Sequence, residues 1–155
     1  MARLSAGLLP FRRAHNHIEV FLAHPGGPLW KNKDNGAWTL PKGEYEASED
    51  PLAAALREFE EETGFQAGSA ALLPLGEIRQ PGGKVIVAWA IEKDLDAAAA
   101  RSNHFQMEWP PKSARLQQFP EVDRCQWFSL AEARIKMLPG QLGFLDRLLE
   151  LAGPA

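Results

Sequence analysis

Glu58, Glu60, Glu61 and Glu62 crowd the end of the stretch Gly43–Phe65, GEYEASEDPLAAALREFEEETGF. On a helix Glu58, Glu61 and Glu62 stand at i, i+3 and i+4, so three carboxylates share one face. Such a face is costly. Two like charges ~4 Å apart repel by about 4 kcal/mol at an effective dielectric near 20. The helix dipole also disfavours anions near a helix C-terminus. Arg57 offsets part of this through Glu61 at i+4, but one guanidinium does not neutralise three carboxylates. A hard divalent cation would. Mg²⁺ takes carboxylate oxygens and keeps waters and substrate phosphates as its other ligands. A solvated acidic face is the competing reading of the charge run alone.

Context on both sides of the run favours the metal. The stretch supplies Gly43, Glu49, Arg57-Glu58, Phe59, Glu61-Glu62, Gly64 and Phe65. This resembles the Nudix signature G-x5-E-x7-R-E-U-x-E-E-x-G-U, U being a bulky aliphatic or aromatic residue, with every defined position at its spacing. Trp38-Thr39-Leu40-Pro41 before it, and a late Trp-Phe strand followed by a helix, are also similar to Nudix domains. The resemblance implies an α/β/α sandwich with a mixed parallel and antiparallel sheet. It implies Mg²⁺-dependent hydrolysis of a phosphoanhydride bond in a nucleoside diphosphate linked to another moiety, with Mn²⁺ as a substitute ion. Carried over, Glu58, Glu61 and Glu62 are the expected metal ligands, assisted by the Gly43 carbonyl. Arg57 is expected to orient a helix glutamate, and Glu49 to play a structural or outer-shell part.

Further candidates lie outside that stretch. Glu121, in Phe119-Pro120-Glu121-Val122-Asp123, resembles the P-E-F-D segment of bacterial RNA 5′-pyrophosphohydrolases and is expected as an extra metal ligand or base; Glu108 is its rival. Pro41-Lys42-Gly43 resembles the animal-type diadenosine tetraphosphate hydrolases, and Lys42 is the expected phosphate contact. Trp30 and Trp38 are candidates to stack on a base, with Phe105 or Trp109 acting from another loop, although large aromatics are more often core residues. Lys31, Lys33, Lys84, Lys112 and Arg115 are further phosphate candidates. Gly82-Gly83-Lys84 is not a P-loop, since the upstream glycine spacing and the Ser or Thr are missing. His15, His17, His24 and His104 have no zinc-type spacing. Cys125 reads as a core residue.

These groups need elements to carry them. Asp50 and Pro51 start a helix that Gly64 stops, with Leu52, Ala55, Leu56 and Phe59 turned to the core. Leu4–Arg12 and Ile18–His24 read as strands about the turn Arg13–Asn16, Lys31–Gly36 as a loop, and Trp38–Leu40 as a short extended piece. Leu75–Gln80 and Lys84–Ile91 read as a hairpin around Pro81-Gly82-Gly83. Asp94–Arg101 reads as a short helix, and Ser102–Pro120 as a strand through Phe105–Trp109 and then a Pro-rich loop. Cys125–Phe128 is the last strand, Ser129–Glu132 a capping box, and Gln141–Leu151 a helix with Leu142, Leu145, Leu148 and Leu149 on its stripe.

The bulk numbers fit one domain over residues 1–155, with 45% hydrophobic residues and five tryptophans to fill a core. The net charge of -3 argues against long nucleic acid as a partner but leaves a small nucleotide open. A single cysteine, a start (Met1-Ala2-Arg3-Leu4) without a signal peptide's apolar core and no membrane-length apolar run lead to a cytoplasmic expectation. A homodimer is left open. The first expected substrate is a dinucleoside polyphosphate such as diadenosine tetraphosphate. An ordinary or oxidised nucleoside triphosphate, an RNA 5′ end and ADP-ribose are the alternatives. A non-catalytic nucleotide-binding Nudix module is the alternative of another class.

Overall fold

The computed structural model describes residues 3–153, so Met1 and Ala2 of the chain start lie outside the described residues. Two long strands, β1 (Leu4–Ala14) and β2 (His17–Pro25), are almost wholly buried along their length. They form a hairpin with Phe11 opposite Val20 and Ala14 opposite His17. His15 and Asn16 turn the chain with positive φ of 51° and 65°, the left-handed geometry that a tight hairpin requires. On the same edge of β1 as β2, its first half accepts β3 (Lys42–Glu44), placing Gly7 against Lys42 and Ala6 against Gly43.

The β4 (Leu72–Arg79) and β5 (Val85–Glu92) strands make the expected second hairpin, and β5 runs parallel to β1 from Leu4/Val85 to Phe11/Glu92. The strand β8 (Val122–Ser129) closes the other side against β2. The sheet order is therefore β4-β5-β1-β2-β8, with β3 on β1. One parallel pair among antiparallel ones makes the sheet mixed, as expected.

Because β1 and β2 sit in the middle, both of their faces must be covered. Ala6, Leu8, Phe21 and Ala23 point to one face and meet Ala54, Ala55 and Phe59 of α1 (Pro51–Thr63). Leu9, Phe11, Val20 and Leu22 point to the other. There they meet Ala133 of α2 (Leu130–Lys136) and Phe144, Leu145 and Leu148 of α3 (Gly143–Ala152). Alternation along two strands thus fixes a helix layer on each side, the α/β/α sandwich.

The helix signals act as read. The Asp50 side chain accepts from the Ala53 N–H, Pro51 opens α1, and Gly64 ends it at φ 80°. Ser129 and Glu132 form both bonds of the capping box. Several expectations need correction. Leu56 is exposed rather than in the core, because the buried stripe of α1 runs through Ala54, Ala55, Phe59 and Thr63. Leu149 is exposed too, and Phe144 takes its place in the stripe of α3. Asp94–Arg101 holds only a 3₁₀ turn at Ala97–Ala99, capped by Asp96. In Ser102–Pro120 the expected strand is present as β6 (His104–Glu108), but the chain after the Pro-rich turn returns as a second strand, β7 (Leu116–Pro120), and the two form a separate two-stranded sheet.

Phe59 is fully buried and anchors α1 on the sheet, on the sector of the helix next to its carboxylates. Phe59→Ala is expected to cost about 3–5 kcal/mol of unfolding free energy, measured by denaturant titration. A loss under about 1 kcal/mol would mean that α1 is held by something else.

Candidate active site

Gly43 and Glu58 define the floor of the acidic cluster. A Cβ on Gly43 would lie 2.0 Å from a Glu58 carboxylate oxygen, so the helix glutamate rests directly on the β3 backbone and only glycine leaves room. Arg57 reaches across this floor. Its guanidinium bonds the Glu49 carboxylate, lies 3.2 Å from Glu58 Oε1 and 3.9 Å from Glu61 Oε1. Glu49 is further held by the Glu46 N–H, the main cause of its lowered pKa, with Arg57 second. One arginine therefore orients the glutamates of the helix and ties the incoming loop to them.

A fourth carboxylate arrives by a backbone relay. The last carbonyls of α1 have no partners within the helix. The Arg101 N–H donates to the Thr63 carbonyl and the Asn103 N–H to the Glu61 carbonyl, both at about the usual amide distance (2.8 and 2.9 Å). The Asn103 carbonyl then accepts from the Glu121 N–H, and the Glu121 carbonyl accepts from Gly26, each at 2.9 Å. This ladder brings Glu121 to the same end of α1 as the helix glutamates. Glu58 and Glu62 both feel its charge.

The electrostatics record the crowding. Burial, then Glu121 and Glu58, push the Glu62 carboxyl from the usual 4.5 to about 8, with only Lys42 opposing. Burial also raises Glu58 against the pull of Arg57, and raises Glu121 through the part of it turned inward. Lys42 shares a cleft of about 160 Å³ with Glu62, Glu121, Thr39 and Pro25. Burial and the neighbouring Lys84 amine bring it down to about 8. A larger, open depression of about 610 Å³ beside Arg3, Tyr45 and Glu49 holds none of Glu58, Glu62 and Glu121.

This structure brings together Glu58, Glu61, Glu62, Gly43, Arg57, Glu121 and Lys42. It does not do so for Trp38, which is 1% exposed and packs edge-on against His24 and Phe128 while its indole N–H donates to Asp34. Trp38 is a core residue, not a base platform. Trp30 is partly exposed, in a hollow with Phe105. Glu108 caps the β6–β7 connection by accepting from the Lys112 and Ala114 N–H groups, which ends its rivalry with Glu121. Cys125 is buried as expected, its thiol pushed up to about 12 chiefly by burial. Lys84 was one lysine among several in the sequence, and only the parallel β1–β5 pairing brings it beside Lys42.

Among the described residues no three His, Cys, Asp or Glu side chains stand close enough together to hold an ion as they are, Glu58 being turned to Arg57. The donor set nevertheless suits one. Oxygen-only ligands and raised carboxyl pKa values on Glu58, Glu62 and Glu121 are what a hard divalent cation relieves.

Comparison with known proteins bears directly on this arrangement. The family model described as NUDIX domain matches residues 1–148. The chain belongs to the NUDIX family. It is a hydrolase of phosphoanhydride bonds. This NUDIX chain is 33% identical over 137 residues to the rat protein named bis(5′-nucleosyl)-tetraphosphatase [asymmetrical], covering 79% of this chain and 89% of that one. It is 43% identical over 60 residues, 36% of each chain, to a Roseobacter denitrificans RNA pyrophosphohydrolase. A crystal structure of a C. elegans Ap4A hydrolase binary complex shares the NUDIX fold at TM-score 0.65 and 19% identity, covering 96% and 97% of the two chains. The NUDIX domain of Shewanella oneidensis NrtR, complexed with ADP ribose, does so at TM-score 0.66 and 17% identity, covering 99% and 90%.

The raised Glu62 carboxyl has a consequence for stability. A carboxyl whose folded pKa exceeds its unfolded one stabilises at low pH, and that contribution is lost as pH rises through the folded value. Metal-free protein should therefore lose melting temperature between about pH 4.5 and about pH 8. Glu62→Gln should flatten this slope, and added Mg²⁺ should raise the melting temperature more at pH 8 than at pH 5. Calorimetry across this range checks it, and an identical slope in the variant would remove Glu62 from the cluster.

Proposed function

We propose that this chain hydrolyses a dinucleoside polyphosphate, diadenosine tetraphosphate being the reference case, with off-centre cleavage supported by a divalent cation. The observation that carries the reading is the cleft that Lys42 shares with Glu62 and Glu121, with the Lys84 amine close enough to Lys42 to lower its pKa. A substrate that suits these groups needs a run of phosphates long enough to engage both lysines. The rat relative's name supports the same choice. Mg²⁺, or Mn²⁺ in its stead, would be held by Glu58, Glu61, Glu62 and Glu121 with the Gly43 carbonyl. Once bound it would neutralise the pyrophosphate and lower the pKa of the attacking water.

The chain's own residues do the rest. A carboxylate of the cluster takes the proton of the attacking water. A new P–O bond forms as the P–O–P bridge breaks, and the leaving phosphate departs with the bridge electron pair. Lys42 and Lys84 hold the phosphates as point charges, lowering the repulsion that water would meet. Arg57 is a positioning residue, acting through Glu49 and Glu58. The proposed setting is cytoplasmic, which suits a single buried cysteine without a disulfide. No helix of the described residues is long and apolar enough to cross a membrane.

Mass spectrometry of diadenosine tetraphosphate turnover in ¹⁸O-labelled water with Mg²⁺ tests the reading. Off-centre cleavage yields AMP and ATP, whereas a central cut yields two ADP molecules. Glu61→Gln should lower kcat by about a hundred-fold or more, on the scale of lost acid–base or metal assistance. Two ADP products, or faster turnover of a nucleoside triphosphate, an RNA 5′ end or ADP-ribose, would replace the substrate assignment. Unchanged turnover in Glu61→Gln would remove the mechanism.

A further inference from the structure

Beside the phosphate cleft lies a second hollow of about 240 Å³, lined among others by Gly27, Leu29, Trp30, Phe105, Met107 and Glu121. It shares Pro25 and Glu121 with the cleft that holds Lys42 and Glu62, so the two are immediate neighbours. We propose that this hollow seats one nucleobase of the substrate, with Trp30 and Phe105 as its platforms and Met107 as its floor. The inference rests on the phosphoanhydride reading above and adds the group that selects the substrate.

Its lining argues for a flat, mostly apolar guest. Two aromatic rings, a thioether and an aliphatic side chain offer π and dispersion contacts, and a carboxylate stands only at the side facing the cleft. The volume falls below the roughly 300–1,000 Å³ of pockets that enclose a whole drug-sized ligand, so it suits one ring system rather than a dinucleotide. A base attached to phosphates lying over Glu121 would enter it without leaving the cleft.

The walls are also set in advance. Phe105 is backed by Phe119 across the β6–β7 pair, ring centroids 5.9 Å apart. Its edge fills the space where a Cβ on Gly27 would stand, 2.9 Å from the Phe105 ring, and Gly27 has φ +93°. A Cβ on Gly26 would be 1.9 Å from the Pro120 carbonyl oxygen, so the Pro25–Pro28 loop lies backbone-to-backbone on the hairpin. On the Trp30 side it is the adjoining Lys33 that is anchored. Lys33 places its ammonium 4.9 Å from the Trp30 ring centroid, and its carbonyl is 2.6 Å from Nε2 of the buried His24, whose Nδ1 lies 2.9 Å from Asp123. Groups fixed before binding need no ordering on it.

Labelling methionine methyl groups with ¹³C gives a probe inside the seat, since Met107 is assigned by its loss in Met107→Leu. With metal-free protein, AMP should move the Met107 methyl resonance by its ring current, and ribose 5-phosphate, which lacks a base, should not. No movement with AMP, or equal movement with both, would overturn the seat. This readout needs no turnover, so it fails independently of the proposed reaction. In diadenosine tetraphosphate hydrolysis, Phe105→Ala and Trp30→Leu should each raise KM by about ten-fold with kcat nearly unchanged, the scale of one lost base–aromatic stack. Phe105→Leu, which keeps an apolar contact with Gly27 and Phe119, covers the case in which the alanine variant does not fold. A fall in kcat at constant KM in the folded variants would mean that these rings shape the catalytic cluster instead and would overturn the proposal.

Discussion

Negative charge gathered at the C-terminal end of α1 is the constraint around which the rest of the chain is arranged. Glu58, Glu61 and Glu62 stand where the helix dipole opposes them, and Glu121 adds a fourth carboxylate. Burial and the neighbouring carboxylates together raise the Glu58 and Glu62 carboxyls above the ordinary range. The helix therefore needs attachments that do not depend on its acidic side. Phe59 supplies one from the core side, and the Arg101–Asn103 segment supplies another by satisfying two terminal carbonyls of the helix. Arg57 relieves only the outer edge of the cluster, where it meets Glu49, Glu58 and Glu61, and Glu62 on the inner edge is left to Lys42.

What could be read without coordinates was what depends on short spacing. The i, i+3, i+4 placement of the glutamates, the Asp50 cap, the Gly64 stop and the Ser129 box are all decided within a few residues, and each stands as expected. Trp38 could not be placed by the same means. Its neighbours Lys31–Gly36 are polar and its own volume suits either role; what buries it is the bridging of its segment to Ala23 and Met137, residues far away in sequence. The β7 strand was hidden for a different reason. Leu116-Gln117-Gln118-Phe119-Pro120 has little apolar alternation because it belongs to a two-stranded sheet with one side in solvent, and the prolines at 110 and 111 mask its connection to β6.

Glu121 lies between these cases. Its neighbours marked it as a candidate, yet nothing near it in sequence says that it reaches α1. Its bond to Asn103, which in turn bonds the Glu61 carbonyl, carries it there. Its other backbone bond, to Gly26, joins it to the Pro25–Pro28 loop, so the acidic cluster and the aromatic hollow are linked through Glu121. The chemistry sits on a helix and a sheet edge that short motifs specify, whereas the groups that choose the substrate sit on segments joined only by tertiary contact.

The inner edge of the site favours the proposed metal-bound polyphosphate over either group alone. Lys42 and Glu62 are each driven towards neutrality first by burial, the one down and the other up, to about 8 in both cases. Their mutual attraction does not compensate, because each also faces like charge: Lys84 beside Lys42, and Glu58 and Glu121 beside Glu62. A cation alone would satisfy the carboxylates and worsen the position of the lysines; a phosphate alone would do the reverse. A divalent cation carried on a phosphate chain would supply both charges, cation to the glutamates and anion to the lysines. The cleft is therefore complementary to the pair rather than to either member, and binding energy released by completing four unfavourable burials at once is available to bring water and phosphorus together.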